Sequence, residues 1–231
     1  MEHKTSVILV CAGNATRMQG ANKILLPLGD SNVIGNTMTA FQNCPQVTEL
    51  VIVARGQDYQ TIRETAEKCG ISKLKAIVTG GDTRQKSVMA GISAISKDTD
   101  LIAIHDGARP LVRTAQISQV IHDAAVFGGA TLGVPVKDTI KVVSDSLIVD
   151  TPVRSSLYQT QTPQVFHRSL YFEALTFANA HNLDFTDDCQ LAESIGCKVY
   201  MSQGDYTNIK ITTPEDIAIA RLLLAQRIKA E

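Results

Sequence analysis

The stretch V-I-L-V-C-A-G-N-A-T-R-M-Q-G-A-N-K-I-L-L-P-L-G, residues 7–29, decides how the rest of the chain is read. A short apolar run empties into a loop of small and polar residues that holds Arg17 and Lys23 and no carboxylate. The run is too short for a helix and lacks polar alternation, so it fits a strand buried on both faces. Such strands belong to parallel sheets covered by helices, and ligands bind beyond their carboxyl ends. The loop that follows lies at that edge. It lacks the G-K-[ST] of a Walker loop and the full G-x-G-x-x-G of a dinucleotide fingerprint. Small residues at Ala12, Gly13 and Ala15 let backbone N–H groups approach a ligand closely. Arg17 offers a planar fork and Lys23 a mobile point charge, a pairing suited to phosphate. Taken alone, the loop reads equally well as a solvated basic turn.

Outward from this strand, apolar runs alternate with helical patterns. Strands are expected at 6–11, 49–54, 75–79 and 100–105, and helices at 32–41, 59–69, 84–95 and 114–127. This spacing argues for β-α-β crossovers and a mostly parallel sheet. The rhythm breaks near Ala130, and residues 131–164 are mostly strand-like. Within them, 141–143 and 147–149 flank Ser-Asp-Ser, a hairpin signal. A β excursion inside an α/β chain reads as an arm or flap, or as a plain antiparallel edge extension. Helices resume at 168–180 and 187–194, short strands are expected at 199–202 and 208–211, and Thr213-Pro214-Glu215-Asp216 opens a last helix.

The whole-chain totals narrow the class. A chain of 231 residues with 44% apolar residues supports a large core in one α/β domain, 1–231. With a net charge of -1, nothing global attracts nucleic acid or an anionic membrane, so anion binding must be local. Five cysteines without a C-x-x-C pair read as reduced thiols. No apolar run reaches transmembrane length, and the first residues have no signal-peptide shape. A soluble, cytoplasmic protein is the expectation.

The other strand ends repeat the theme of the first. Residues 79–88 read T-G-G-D-T-R-Q-K-S-V, placing Asp82, Arg84 and Ser87 at a helix start; Ser87 suits a base or phosphate, and Asp82 suits either a ligand or a helix cap. Residues 105–110 read H-D-G-A-R-P, where Asp106 ends a buried strand at the ligand edge, a place for a ribose or metal contact or for a turn former. The histidines show no metal-ligand spacing, and His105 reads as a hydrogen-bonded core residue. T-D-D-C at 186–189 suggests a metal site or, better, a helix cap with acids in the first turn, and Cys11 reads as packing.

Six motifs in order, A-G-N-A-T-R-M with Lys23, G-G-D-T-R-Q-K-S-V, H-D-G-A-R-P, V-K-D-T-I-K, Q-T-P-Q-V-F and N-I-K-I-T-T-P-E-D, together resemble the 2-C-methyl-D-erythritol 4-phosphate cytidylyltransferases. The resemblance runs from about residue 7 to 221. It implies an α/β, Rossmann-like three-layer sandwich with a mostly parallel central sheet and a protruding β arm at about 134–157. It also implies joining of CTP to a polyol phosphate with release of pyrophosphate, assisted by Mg²⁺ that Asp106 would help to hold. By the same resemblance, Arg17 and Lys23 stabilise the transition state and leaving group, and Arg154 and Lys210 position the acceptor phosphate. Ala12, Gly13, Asp82 and Ser87 fall where the family holds cytosine and triphosphate, and Asp106 and Gly107 fall at the ribose and metal. Arg109, Thr162 and Thr186 are similar to further acceptor contacts. The arm would clasp a second subunit, so that Thr139 and Arg154 act in trans in a homodimer.

Ala15 and Thr16 replace a frequent glycine and a frequent basic residue of the family loop, and Gly107 replaces alanine. None of these changes removes a charge from the four catalytic positions. V-R-S-S-L-Y-Q-T-Q-T-P-Q also resembles the sibling ribitol 5-phosphate cytidylyltransferases. H-D-G-A-R-P and V-K-D-T-I-K favour the erythritol subgroup. A non-catalytic nucleotide-binding module on the same fold would be expected to have lost Arg17 or Lys23, and both are present.

Overall fold

The opening apolar run is β1 (Thr5–Val10). In the computed structural model, which describes residues 3–13 and 22–230, Val7, Ile8 and Leu9 are fully buried. Successive side chains of a strand leave on opposite faces. Val7 and Leu9 accordingly enter one hydrophobic cluster and Ile8 another. The first cluster is completed by α1 (Val33–Gln42), α2 (Tyr59–Lys68) and α4 (Thr114–Phe127); the second by α3 (Arg84–Ile92), α5 (Arg168–Ala180) and α6 (Asp188–Glu193). These are the two outer layers of a three-layer sandwich. Gly91 lets α3 lie directly on the sheet, since a Cβ there would come within 2.6 Å of an Ile8 methyl and 2.9 Å of a Val53 methyl.

The middle layer has seven strands. β1 lies between β4 (Val47–Ala54) and β6 (Leu101–Asp106), parallel to both, and β5 (Leu74–Thr79) extends the sheet beyond β4. On the other side of β6 come β10 (Tyr158–His167), β7 (Gly129–Pro135) and β11 (Tyr200–Gln203). β10 alone runs against its neighbours, antiparallel to both β6 and β7. Two small strands, β2 (Pro27–Leu28) and β3 (Ser31–Asn32), precede α1. The final helix α7 (Pro214–Ala230) packs Ala220, Leu223 and Leu224 with Leu28, Val33 and Ile211 in a third cluster.

Between β7 and β10 the chain leaves the body as an arm. β8 (Val142–Ser144) and β9 (Leu147–Asp150) pair antiparallel at its tip. The turn is two residues, Asp145 and Ser146, with φ of 50° and 65°. Both in the left-handed region is the backbone a tight hairpin needs. Val142, Val143, Leu147, Ile148 and Val149 are all exposed. Residues 208–211, expected as a strand, form none. Ile211 N–H donates to Ala108 O at 2.9 Å, which ties the segment to the loop after β6 without a ladder.

Candidate active site

The carboxyl ends of β1, β5 and β6 open onto one crevice. A cleft of about 390 Å³ is lined by Ala12, Gly13, Lys23, Asp82 and Ser87, among others. A smaller one of about 150 Å³ adjoins it and is lined by Arg109, Thr162 and Thr186, among others. Arg84, Asp106 and Lys210 line both. Of the residues expected from the sequence, Arg17 lies outside the described residues, as do Ala15 and Thr16. Thr139 and Arg154 sit on the exposed arm, away from the clefts of their own chain, with Arg154 Nη1 donating to Lys137 O at 3.2 Å.

The loops explain how the clefts keep their shape. Cys11 N–H donates to Val53 O at 2.7 Å and Gly107 N–H to Val10 O at 3.0 Å, which ties neighbouring strand ends together. A Cβ on Gly107 would overlap the thiol of Cys11, so alanine at 107 and cysteine at 11 compete for one space. Ser87 Oγ accepts from Gly81 N–H at 3.1 Å and lies 3.3 Å from Gly81 O. Its hydroxyl therefore shapes the Gly-Gly turn as well as lining the cleft. Thr83, rather than Asp82, caps α3, its side chain accepting from Lys86 N–H. Asp82 is left exposed at the rim, 3.5 Å from Lys86 Nζ.

Electrostatics centre on Asp106. Its Oδ2 is 2.9 Å from Lys210 Nζ and 3.3 Å from Arg109 Nε. Burial alone would raise this carboxyl; Lys210, Arg109 and Arg84 outweigh it and hold the group below the usual carboxylate range. Asp106 is thus ionised and unfit as a general acid. Arg109 Nη1 also donates to Asn208 O at 2.9 Å, which anchors the segment that carries Lys210. Asn208 itself is fully buried and donates to Thr162 O at 3.0 Å and Gln161 Oε1 at 3.3 Å.

Behind this carboxylate, His105 has no exposed surface, and burial pushes its imidazole down to about 4. Its Nε2 lies 3.2 Å from Arg109 O, a pure acceptor, so the neutral ring carries its proton there. Nδ1 then accepts from the Thr162 hydroxyl at 3.0 Å, while Thr162 Oγ1 accepts Asp106 N–H at 3.1 Å. Thr162 therefore clamps the Asp106 backbone and has one lone pair left for a ligand. His105 is a core residue, as its place on the strand suggests. Asp187 caps α6, accepting from Cys189 and Gln190 N–H, and Thr186 beside it is exposed in the smaller cleft. Sequence reading did not single out Asp188, Tyr171, Gln161 or Asn208. All are buried; Gln161 and Asn208 open two of the quoted motifs and Asp188 stands in T-D-D-C, but no local pattern told what each would contact.

A nucleotide-sized cleft joined to a phosphate-sized one by convergent cations, at the carboxyl edge of a mostly parallel sheet, defines a nucleotidyltransferase class of site. Residues 5–226 match the family described as IspD: 2-C-methyl-D-erythritol 4-phosphate cytidylyltransferase, and the chain belongs to that family. Curated relatives of that name include one from Desulforamulus reducens, 41% identical over 95% of each chain. Another, from Caldanaerobacter subterraneus subsp. tengcongensis, is 43% identical over 95% of this chain and 98% of its own. Among solved structures, 4-diphosphocytidyl-2C-methyl-D-erythritol synthase from Anaerococcus prevotii superposes with a TM-score of 0.86 at 29% identity, covering 97% of this chain and 100% of that one. The 2-C-methyl-D-erythritol 4-phosphate cytidylyltransferase of Thermus thermophilus gives 0.77 at 28% identity, over 96% and 98%.

Proposed function

We propose that this chain transfers the cytidylyl group of CTP to 2-C-methyl-D-erythritol 4-phosphate, giving 4-diphosphocytidyl-2-C-methyl-D-erythritol and pyrophosphate for non-mevalonate isoprenoid precursor synthesis. The observation that carries the reading is the junction of the two clefts, where Lys210 and Arg109 converge on a single buried carboxylate. A phosphate monoester carries about 1.5–2 negative charges at neutral pH, so repulsion between two anions is the first barrier. An acceptor oxygen attacks the α-phosphorus in line. The bond from that phosphorus to the bridging oxygen breaks, and its electron pair leaves with pyrophosphate. The nucleophile is already ionised, so no general base is needed, in keeping with a neutral, inward-facing His105 and a salt-bridged Asp106. The protein's work is to aim cations at charge that grows in the transition state.

In this reading Ala12, Gly13, Asp82 and Ser87 receive the nucleotide, and Arg17 and Lys23 stabilise the leaving pyrophosphate. Lys210, Arg109, Thr162 and Thr186 receive the acceptor. Both ion pairs of Asp106 fall on Oδ2, which leaves Oδ1 to a divalent ion. No cluster of three His, Cys, Asp or Glu side chains exists among the described residues. One carboxylate fits a Mg²⁺ ligated mainly by substrate phosphates. Such an ion would neutralise phosphate charge and fix the triphosphate. Among the described residues no helix is long and apolar enough to cross a membrane. We place the enzyme in the cytoplasm, acting without nucleic acid or membrane, as a homodimer joined through the apolar arm, with Thr139 and Arg154 completing the partner's acceptor site.

Pyrophosphate release with Mg²⁺ tests the chemistry, crossing CTP, UTP, ATP and GTP with methylerythritol phosphate and ribitol 5-phosphate. Release is expected with CTP and methylerythritol phosphate alone and is lost in Lys23→Ala; release with ribitol phosphate instead would reassign the acceptor. Complementation tests the dimer. Lys23→Ala and Arg154→Ala are each expected to be inactive. Mixed after subunit exchange, they should recover about a quarter of wild-type activity, because half the dimers then hold one intact site of two. No recovery despite proven exchange would mean that Arg154 serves its own chain.

A further inference from the structure

Arg84, Asp106 and Lys210 are shared by the two clefts, and neither the motifs nor the reading above gives Arg84 a task. It is the first residue of α3, and its side chain keeps 23% of its surface. Its Nη1 stands 2.6 Å from Asp188 Oδ2, a buried ion pair that engages one edge of the guanidinium. A guanidinium has five N–H donors, so the contact with Asp188 leaves others to face the clefts that Arg84 lines. Asp188 is buried and fixed. Its other oxygen accepts the hydroxyl of fully buried Tyr171 at 2.6 Å, and its N–H donates to Gln164 Oε1 at 3.0 Å.

The residues on either side of Arg84 grip the same segment. Thr83 Oγ1 donates to Asp184 Oδ1 at 3.2 Å, and Gln85 Oε1 accepts Phe185 N–H at 3.0 Å. Three successive positions of the nucleotide loop are thus stitched to residues 183–188, which carry Thr186 into the acceptor cleft.

We infer that Arg84 is a further substrate-binding residue, contacting phosphate oxygens where CTP and the acceptor meet, and that Asp188 and Tyr171 are positioning residues that aim it. The inference rests on the reading that the two clefts hold CTP and a polyol phosphate. A planar fork suits two oxygens of one phosphate, whereas a lysine ammonium at 84 would satisfy either Asp188 or the substrate. Reach into both clefts couples the two sites, and such coupling is reciprocal.

The test compares wild type, Arg84→Lys, Arg84→Ala and Tyr171→Phe by steady-state kinetics, CTP calorimetry and thermal melting. Arg84→Lys is expected to melt near wild type, bind CTP at least tenfold more weakly and lose at least thirtyfold in kcat. Millimolar guanidinium ion should restore part of the Arg84→Ala activity and none of that lost in Lys23→Ala. Tyr171→Phe should raise the acceptor KM several-fold and lower the melting temperature, because it strips a donor from a buried carboxylate, while leaving CTP-bound protein folded at assay temperature. CTP affinity, kcat and both KM values within twofold of wild type in Arg84→Lys would reduce Arg84 to a structural staple and overturn the inference. The calorimetric arm does not depend on the acceptor's identity. A wild type that binds CTP but turns over no polyol phosphate would therefore sink the proposed reaction and still leave Arg84 decided by CTP affinity.

Discussion

At the scale of single residues, His105 shows how a buried polar group serves the site without touching a ligand. Its ring joins Arg109 O to the Thr162 hydroxyl, and so fixes the backbone on both sides of Asp106. The arrangement requires the neutral ring. Folded, His105 stays unprotonated down to about pH 4, whereas an unfolded chain protonates it from about pH 6.5. Between those values the unfolded state binds more protons, so stability rises with pH across the window. The contribution is complete above about 6.5 and is lost as pH falls toward 4. One group gives a slope of at most about 1.4 kcal/mol per pH unit. Urea midpoints at pH 7, 6 and 5 should fall more steeply in wild type than in His105→Asn, and parallel curves would refute the assignment. The Gly107–Cys11 contact belongs to the same scale. A side chain at 107 would require the Cys11 thiol to turn away.

Among elements, the segment after β11 matters most. It carries Lys210 with no strand to hold it, so Asn208 does the holding. Asn208→Ala removes two donated bonds and leaves buried acceptors on β10. It is expected to cost about 1–3 kcal/mol and to raise the acceptor KM, because the segment that carries Lys210 is no longer pinned to β10. An unchanged melting temperature would show that the segment is fixed by Ile211 instead.

Elements differed in how plainly the sequence announced them. Helices α4 and α5 were legible to the residue, because polar and apolar positions alternate with the helical period. The parallel strands were legible as apolar runs closed by glycine and polar residues. β10 was legible as strand and not as a central, antiparallel one. Its apolar pattern reports burial, which is the same for either direction, and Pro163 within it is unusual for a central strand. Residues 208–211 looked like a strand because alternation in N-I-K-I also arises when one side of a loop packs down. Ala12, Gly13, Asp82 and Asp106 were expected at the cleft and line it because each stands at or just beyond the end of a strand. The Arg84–Asp188 pair was not legible, since local sequence shows Asp188 only as an acid in a first helical turn and says nothing of what lies across from it.

For the whole molecule, a net charge of -1 makes substrate capture a local matter, and the proposed dimer would rest on the arm alone. Leu147, Ile148 and Val149 are each at least 60% exposed, an apolar surface a lone chain would leave in water. The arm meets the body through one narrow neck. Pro135 pairs with Tyr158, and Val136 N–H donates to Leu157 O at 3.0 Å. Replacing residues 136–157 with Asn-Gly should therefore close β7 and β10 as an ordinary hairpin. The shortened protein is expected to sediment as a monomer, melt within a few degrees of the full chain, bind CTP and turn over nothing. A dimer on sedimentation would place the interface elsewhere. Because the two ends of the insertion meet in register, the arm, and with it the dimer interface proposed for it, is one contiguous run of codons. A lineage could lengthen, exchange or discard that run in a single genetic event without rewriting a residue of the sheet, so partner choice and fold are free to evolve at different rates.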